Sequence, residues 1–406
     1  MKAVFINHSD SLGGASTVTR RLAAALRDNC GIDASMLVTR ALCPDAHVTV
    51  AAPRWRSRLP FLAEHLRIFA ANGFNRRDLF KASIATDGLP LSRHPLVHEA
   101  DVVVLNWVNQ GMLSLREIER IAAVKPVVWT MHDEWNYTGL CHHACDCPGF
   151  RSGCGNCPLL HGRASASDLS AVSFRRKAQL YGAADIRFVA VSNWLAARAA
   201  ESPLMQGRHI AVIPNTYEPV EAAPLDRAAL GLPGCRRLVT VCAARLDDPV
   251  KGLSDAFAAL NACADMGVHA VLVGEIRHPE ILSQLQVPYT HIGHITDRSR
   301  LQAIFASSDA LLSSSVRESF GATLLEAQAA GTTPVAYTHD GRADMITDGV
   351  TGYAAAAHTP GALAAALRRA LVGPLDPAAL RRAAERFSPA AVAAAYVRLF
   401  DSIRAG

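Results

Sequence analysis

The sequence predicts an α/β chain built from two Rossmann-like domains. Three observations carry this. Short, strongly apolar runs such as Asp101–Asn106 (DVVVLN), Pro126–Met131 (PVVWTM) and Ile186–Val191 (IRFVAV) read as strands buried on both faces of a parallel sheet. Glycine-rich or polar bends follow several such runs and open helices, the plan of a doubly wound domain. A chain of 406 residues is also too long for one ordinary core.

Composition narrows the classes. Half of the residues are hydrophobic and 19% are charged, which excludes extensive disorder. A net charge of +5 suits an anionic small substrate or membrane surface better than nucleic acid. The opening MKAVFINHSD reads as a strand rather than a signal peptide, because its apolar run breaks at Asn7. No uncharged apolar run reaches about 18 residues, so no transmembrane helix is expected. A cytoplasmic chain, at most peripheral at the inner membrane face, follows as the expectation. Its ten cysteines would then meet a reducing solvent.

The first domain is assigned to residues 1–216. Lys2–Ile6 is its first strand, NHSDSLGGAS its glycine turn with Gly13 and Gly14, and Thr17–Asp28 its first helix. Ala34–Val38 is a second strand. Residues 53–81 interleave seven basic residues with Trp55, Phe61, Leu62, Leu66, Phe69 and Phe74. This suits either a helix lying on an anionic membrane or a helical excursion with a solvated basic face. His132 and Asp133 stand at the exit of the PVVWTM strand, where ligands collect; a core His132–Asp133 pair is the plainer alternative. Residues 138–159 carry Cys141, Cys147, Cys154 and Cys157 in a C-x5-C-x6-C-x2-C pattern. Four thiolates around a structural zinc, free thiols and disulfides all remain open, with Cys145, His142 and His143 as extra metal candidates. Ser192-Asn193-Trp194 opens the helix after IRFVAV, and Ile210–Asn215 closes the sheet.

Thr216–Pro233 is the linker candidate, and residues 217–387 form the second domain. Leu238–Ala243 is a strand followed by RLDDPVKG, which places Arg245 and Lys251 at its exit. Two such cations can neutralise a diphosphate leaving group without a divalent ion. Ala270–Gly274 and Tyr289–Ile295 follow. Ala310–Gly331 then reads as strand, polar bend and helix, with Glu318 and Glu326 eight positions apart and Gly321 letting the backbone approach a phosphate at the helix start. One carboxylate can hold a sugar hydroxyl, the other both hydroxyls of a ribose. Pro334–Tyr337 and Gly349–Tyr353 finish the sheet, and residues 388–406 form a last amphipathic helix.

These motifs, in this order, resemble the retaining glycosyltransferases of family 4, which have the GT-B fold: two Rossmann-like domains facing a cleft, with the last helix returning to the first domain. The resemblance rests on E-x7-E with Ser-Phe-Gly, Arg-x5-Lys-Gly at Arg245 and Lys251, the Gly13-Gly14 loop, His132, and the VS-then-IPN succession. It implies that Glu318 lies beside the donor sugar, with His132 across from it, and that Glu326 holds the ribose. It counts Gly13, Gly14, Asn193, Ile295, Ser319, Phe320 and Gly321 among the donor-binding positions. Ile276 replaces the family's second glycine in one donor loop. The cysteine-rich segment is similar to an insertion in a bacterial, colanic-acid-type exopolysaccharide subgroup. The implied reaction moves a hexosyl residue from a nucleotide diphosphate sugar to a glycan or polyprenyl-linked acceptor, with no divalent metal in catalysis. A GT-B sugar-nucleotide epimerase, a phosphorylase and a non-catalytic zinc-bearing protein are the rival classes.

Overall fold

The computed structural model describes residues 1–219, 226–234 and 236–405. The chain divides into two units, one of Met1–Pro214 with the chain from Val392 onward, the other of Asn215–Ala391. Residues 220–225 of the expected linker lie outside the described residues.

In the first unit the chain forms β1 (Lys2–Ser9), α1 (Gly14–Cys30), β2 (Asp33–Arg40), β3 (Val48–Val50), α2 (Arg54–Ala71), α3 (Pro95–Glu99), β4 (Val102–Leu105), α4 (Leu115–Ala122), β5 (Val127–Met131), α5 (Leu169–Ala183), β6 (Ile186–Ala190), α6 (Asn193–Ala200) and β7 (Ile210–Val212). The strands lie parallel in the order β3-β2-β1-β4-β5-β6-β7. Strand order reverses between β1 and β4. In such sheets the crevice beyond the carboxyl ends at that point is the ligand position. β1 runs three residues beyond the expected Ile6 because pairing continues to Ser9 opposite Arg40. Asn7 locks that extension, donating to the Ser9 carbonyl and Ser16 Oγ while its own carbonyl accepts from the Trp107 amide. Side-chain caps start the helices: Ser114 accepts from the Glu117 amide, Asp168 from Ser170 and Ala171, and Ser192 from Leu195.

The second unit forms β8 (Arg237–Arg245), α7 (Leu253–Asn261), β9 (Val268–Glu275), β10 (Tyr289–Gly293), α8 (Arg298–Ala306), β11 (Ala310–Ser313), α9 (Ala322–Ala330), β12 (Thr333–Tyr337), β13 (Tyr353–Ala355), α10 (Pro360–Val372) and α11 (Pro377–Ala384). Its strands are parallel in the order β10-β9-β8-β11-β12-β13, so the reversal falls between β8 and β11. Its core joins Val239 and Val241 of β8, Leu272 of β9, Phe257 of α7, and Leu363 and Leu367 of α10.

The last helix, α12 (Pro389–Ala405), supplies Val392, Tyr396, Leu399 and Phe400 to the core of the first unit beside Phe5, Val104 and Val128. The Tyr396 hydroxyl lies 2.9 Å from Thr130 Oγ1, both side chains buried. Tyr396→Phe leaves the Thr130 hydroxyl without this partner. It should cost about 1–2 kcal/mol in urea unfolding, and an unchanged midpoint would show the pair to be dispensable.

Candidate functional site

In the second unit the carboxyl ends of β8 and β11 bring distant residues together. After β8 the chain makes one tight turn, Pro249–Lys251, and reaches Gly252 at φ 61°, where an added Cβ would lie 2.3 Å from the Ser314 carbonyl. Only glycine fits there. Two hydrogen bonds fasten this turn to the loop after β11: Ser314 Oγ donates to the Lys251 carbonyl at 2.9 Å, and the Val316 amide donates to the Val250 carbonyl at 2.8 Å. The Lys251 ammonium thereby meets the Glu318 carboxylate at 2.7 Å, across 67 positions of sequence. Both side chains keep partial exposure, 34% and 24%. Burial by itself would raise the Glu318 carboxyl. The Lys251 ammonium, its hydrogen bond, Arg342 and Ser315 outweigh that and hold it below the usual range.

The Glu318 backbone is gripped from the loop after β12. Its amide donates to Asp340 Oδ2 at 2.7 Å, and its carbonyl accepts from the Gly341 amide at 3.0 Å. Asp340 is in turn held by Arg342 through two parallel bonds of 2.8 Å, with both side chains fully buried. Gly321 begins α9 at φ 96°; a Cβ there would come 2.9 Å from Arg342 Cγ and 3.0 Å from Met345 Cε. The glycine is thus required by Arg342 behind it as well as by its left-handed backbone. Sequence reasoning missed Asp340 and Arg342, which lie in the charged THDGRAD loop at the exit of β12.

The other predicted residues divide. Arg245 ends β8 with Asp247 and Asp248 each 3.4 Å from its guanidinium. Glu326 is buried on α9, with Arg298 of α8 3.6 Å away. Ser319 lies in the loop before α9, where its carbonyl would meet any Cβ on Gly341 at 2.1 Å. The ring of Phe320 is buried edge-on against Phe387, 5.9 Å between centroids. Ile295 is partly buried in the loop after the edge strand β10.

In the first unit, His132 Nε2 lies 3.0 Å from Asn106 Oδ1 at the carboxyl ends of β5 and β4. Burial, only partly opposed by Asp133, pushes its pKa down to about 4, so the ring is neutral at pH 7. Asp133 pairs with His142 instead, at 2.7 Å, and also accepts from Trp107 Nε1 and the Trp135 amide. Against the burial that would raise it, His142 leads in pulling the Asp133 carboxyl down to about 2. Gly13, at φ 86°, and Gly14 open α1, and Asn193 is the exposed first residue of α6.

The four-thiolate site is not assembled. Among the described residues no group of three or more His, Cys, Asp or Glu is placed to hold a metal ion. Cys141, Cys147, Cys154 and Cys157 are free, and burial pushes the Cys154 thiol up to about 11 and raises Cys141 and Cys157 too. Both His142 nitrogens are engaged, by Asp133 and by Ser83 Oγ at 3.0 Å. The segment is held by other means. Lys177, fully buried, donates to the Trp135 and Thr138 carbonyls with its ammonium 3.5 Å from the centre of the Trp135 ring. Asp168 accepts from the Cys157 amide and Glu134 from the Ala144 amide, each at 2.8 Å.

The glycosyl transferases group 1 model matches residues 226–387. The chain is 32% identical over 99 residues to WcaC of Escherichia coli (strain K12), a colanic acid biosynthesis glycosyl transferase by name, covering 23% of each chain. It is 31% identical over 170 residues to the phosphatidyl-myo-inositol mannosyltransferase of Mycobacterium leprae (strain TN), covering 39% of this chain and 45% of that one. The matched segments thus span less than half the length of these relatives. The structure aligns with Anabaena Alr3699/HepE, solved with UDP and glucose, at TM-score 0.61 and 19% identity, over 99% of this chain and 100% of the other. The fold is GT-B.

Two outcomes follow from the buried charges. Arg342→Met leaves the Asp340 carboxylate buried without its guanidinium and should lower stability by about 3–5 kcal/mol in chemical denaturation; a loss under about 1 kcal/mol would mean the pair carries little. Asp133 is a depressed acid. Its contribution is complete above the ordinary value of 3.8 and is lost as pH falls toward the folded value of about 2. Asp133→Asn should therefore remove roughly 2 kcal/mol of pH-dependent stability over that window, read as the difference between unfolding midpoints at pH 5 and pH 2.5.

Proposed function

We propose that this chain, whose residues 226–387 form a glycosyl transferases group 1 domain, is a glycosyltransferase of polysaccharide or glycolipid synthesis. It moves a hexosyl residue from a nucleotide diphosphate sugar to a hydroxyl of a glycan or lipid-linked glycan, with retention of configuration. The observation that carries the reading is the meeting of Lys251 and Glu318 at the β8–β11 reversal, beside the start of α9. A cation, an ionised acid and a helix amino terminus in one place suit a diphosphate joined to a sugar. The likeness to a structure solved with UDP and glucose agrees with that donor class.

In this reading the diphosphate takes the Lys251 ammonium and frees Glu318 to accept from a sugar hydroxyl. Arg245, shared with Asp247 and Asp248, adds positive charge as the leaving group departs. Glu326 accepts the ribose hydroxyls, with the Arg298 guanidinium 3.6 Å away. The backbone near Ile295 meets the base, and the amides of Ser319 to Gly321 meet the phosphate. His132, uncharged, serves the transferred sugar as a hydrogen-bond partner. Front-face substitution needs no protein nucleophile, and the departing phosphate takes the acceptor's proton.

A peripheral contact with anionic lipid belongs to the same proposal. No helix among the described residues is long and apolar enough to cross a membrane. Trp55, Leu59, Leu62 and Leu66 are each 59% exposed or more and recur at helical spacing along α2. Arg54, Arg56, Arg58 and Arg67 lie on the same helix, a composition suited to an anionic bilayer surface.

Nucleotide release, measured with and without glycan acceptor across a panel of nucleotide sugars, tests the reaction. Acceptor should accelerate release, and Glu318→Ala should slow it roughly 100-fold by losing sugar orientation. Release that ignores acceptor, or a variant as fast as wild type, contradicts the assignment.

A further inference from the structure

Asn106 follows the last residue of β4, and His132 follows the last residue of the neighbouring strand β5. Asn106 is buried and fixed through its backbone as well as its side chain. Its amide donates to the Ile6 carbonyl at 3.0 Å, and its carbonyl accepts from Trp129 Nε1 at 3.3 Å. Its side-chain nitrogen donates to the Val104 carbonyl at 3.3 Å. That bond decides which way the carboxamide faces. Turned over, it would set its oxygen against the Val104 carbonyl oxygen, two acceptors with no proton between them. Asn106 Oδ1 is therefore the atom that meets His132 Nε2, at 3.0 Å.

An amide oxygen only accepts, so Nε2 supplies the proton of this contact. The ring is neutral at pH 7, because burial pushes its pKa down to about 4. A neutral imidazole has a single N–H, and Nδ1 is left with its lone pair. The adjacent acid does not reverse this assignment. Asp133 is taken by His142, Trp107 Nε1 and the Trp135 amide. His132 keeps partial exposure, and among the described residues its Nδ1 has no hydrogen-bond partner.

A ligand group that meets Nδ1 must bring the proton itself. A hydroxyl can do so. A carboxylate, an ether oxygen or a fluorine cannot, and two facing lone pairs leave both groups desolvated without a bond. A site built around a hydrogen-bonding group rejects a partner that fails to complete the bond far more strongly than an apolar pocket rejects a misfit of similar size.

We infer that Asn106 is a positioning residue that fixes His132 as its Nε2-protonated tautomer, and that His132 thereby selects a sugar with a hydroxyl donor over one with an acceptor-only group at the same point. The inference rests on the glycosyl-transfer reading and narrows its donor class to sugars whose hydroxyl is free where His132 meets them.

Nitrogen-15 spectra of the full-length protein, labelled in its histidine rings, read the tautomer directly, with His132 assigned by difference from His132→Gln. Wild type should show a protonated Nε2 and an unprotonated Nδ1 at pH 7. Asn106→Leu should show a mixture. The opposite tautomer in wild type, or an unchanged tautomer in folded Asn106→Leu, overturns the inference. The nucleotide sugar that wild type uses is then titrated beside analogues in which one sugar hydroxyl at a time is replaced by fluorine or by hydrogen. At one position both replacements should weaken binding equally, by roughly tenfold or more. His132→Gln, whose amide donates as well as accepts, should narrow that loss. Fluorine tolerated at every position where hydrogen is not overturns the inference as well. Failure of the transfer reading shows separately, as nucleotide release that ignores acceptor, whereas the tautomer is read without turnover.

Discussion

A fully buried ion pair between neighbours, Asp340 and Arg342, holds the second unit's site in shape. An isolated charge at such a depth is strongly unfavourable, and its penalty is offset only by close, hydrogen-bonded pairing. Two bonds of 2.8 Å provide that pairing, and they leave Asp340 Oδ2 able to accept the Glu318 amide as well. The pair therefore fixes a backbone, and the backbone aims a side chain. Arg342 also fills the space beside Gly321, so the same residue sets where α9 begins. A loop that would otherwise be mobile becomes a rigid support for an acid facing a lysine. Prior placement of charge is what favours a charged transition state.

The same economy of buried charge recurs in the first unit. Lys177 is fully buried, yet its ammonium reaches two carbonyls and the Trp135 ring. Asp133 is satisfied by His142, Trp107 and the Trp135 amide. Together these tie the cysteine-rich segment to the strand exit that bears His132. The segment works as a polar brace for that exit.

Parallel strands were the most legible part of the fold. Runs such as VVVL in β4 and VVWTM in β5 are apolar at every position, which only a sheet covered on both faces accommodates. β3 escaped notice because Val48–Val50 is a three-residue edge strand with exposed side chains. α4 announced itself through Ser114 and Glu117, a cap signal that a closer reading would have used. In the candidate site, the glutamates and the lysine stood out because their residue types suit a diphosphate joined to a sugar. Asp340 and Arg342 were not, since nothing local tells a surface salt bridge from a buried one. The cysteine spacing left metal, free thiols and disulfides open. A C-x2-C turn reports that two thiols share a loop, whereas metal binding needs four donors converging with their protons gone. Here the chain spends the nearby polar groups on carbonyls and amides instead.

The central proposal is that Lys251 and Glu318, paired at 2.7 Å, act on one donor molecule as a unit. A double-mutant cycle on the rate of nucleotide release tests it most directly, comparing Lys251→Ala, Glu318→Ala and the double variant. Residues that act together lose their effect together, so the double variant should be about as slow as the slower single one. Losses that multiply, as for two groups serving separate ends, would contradict the account.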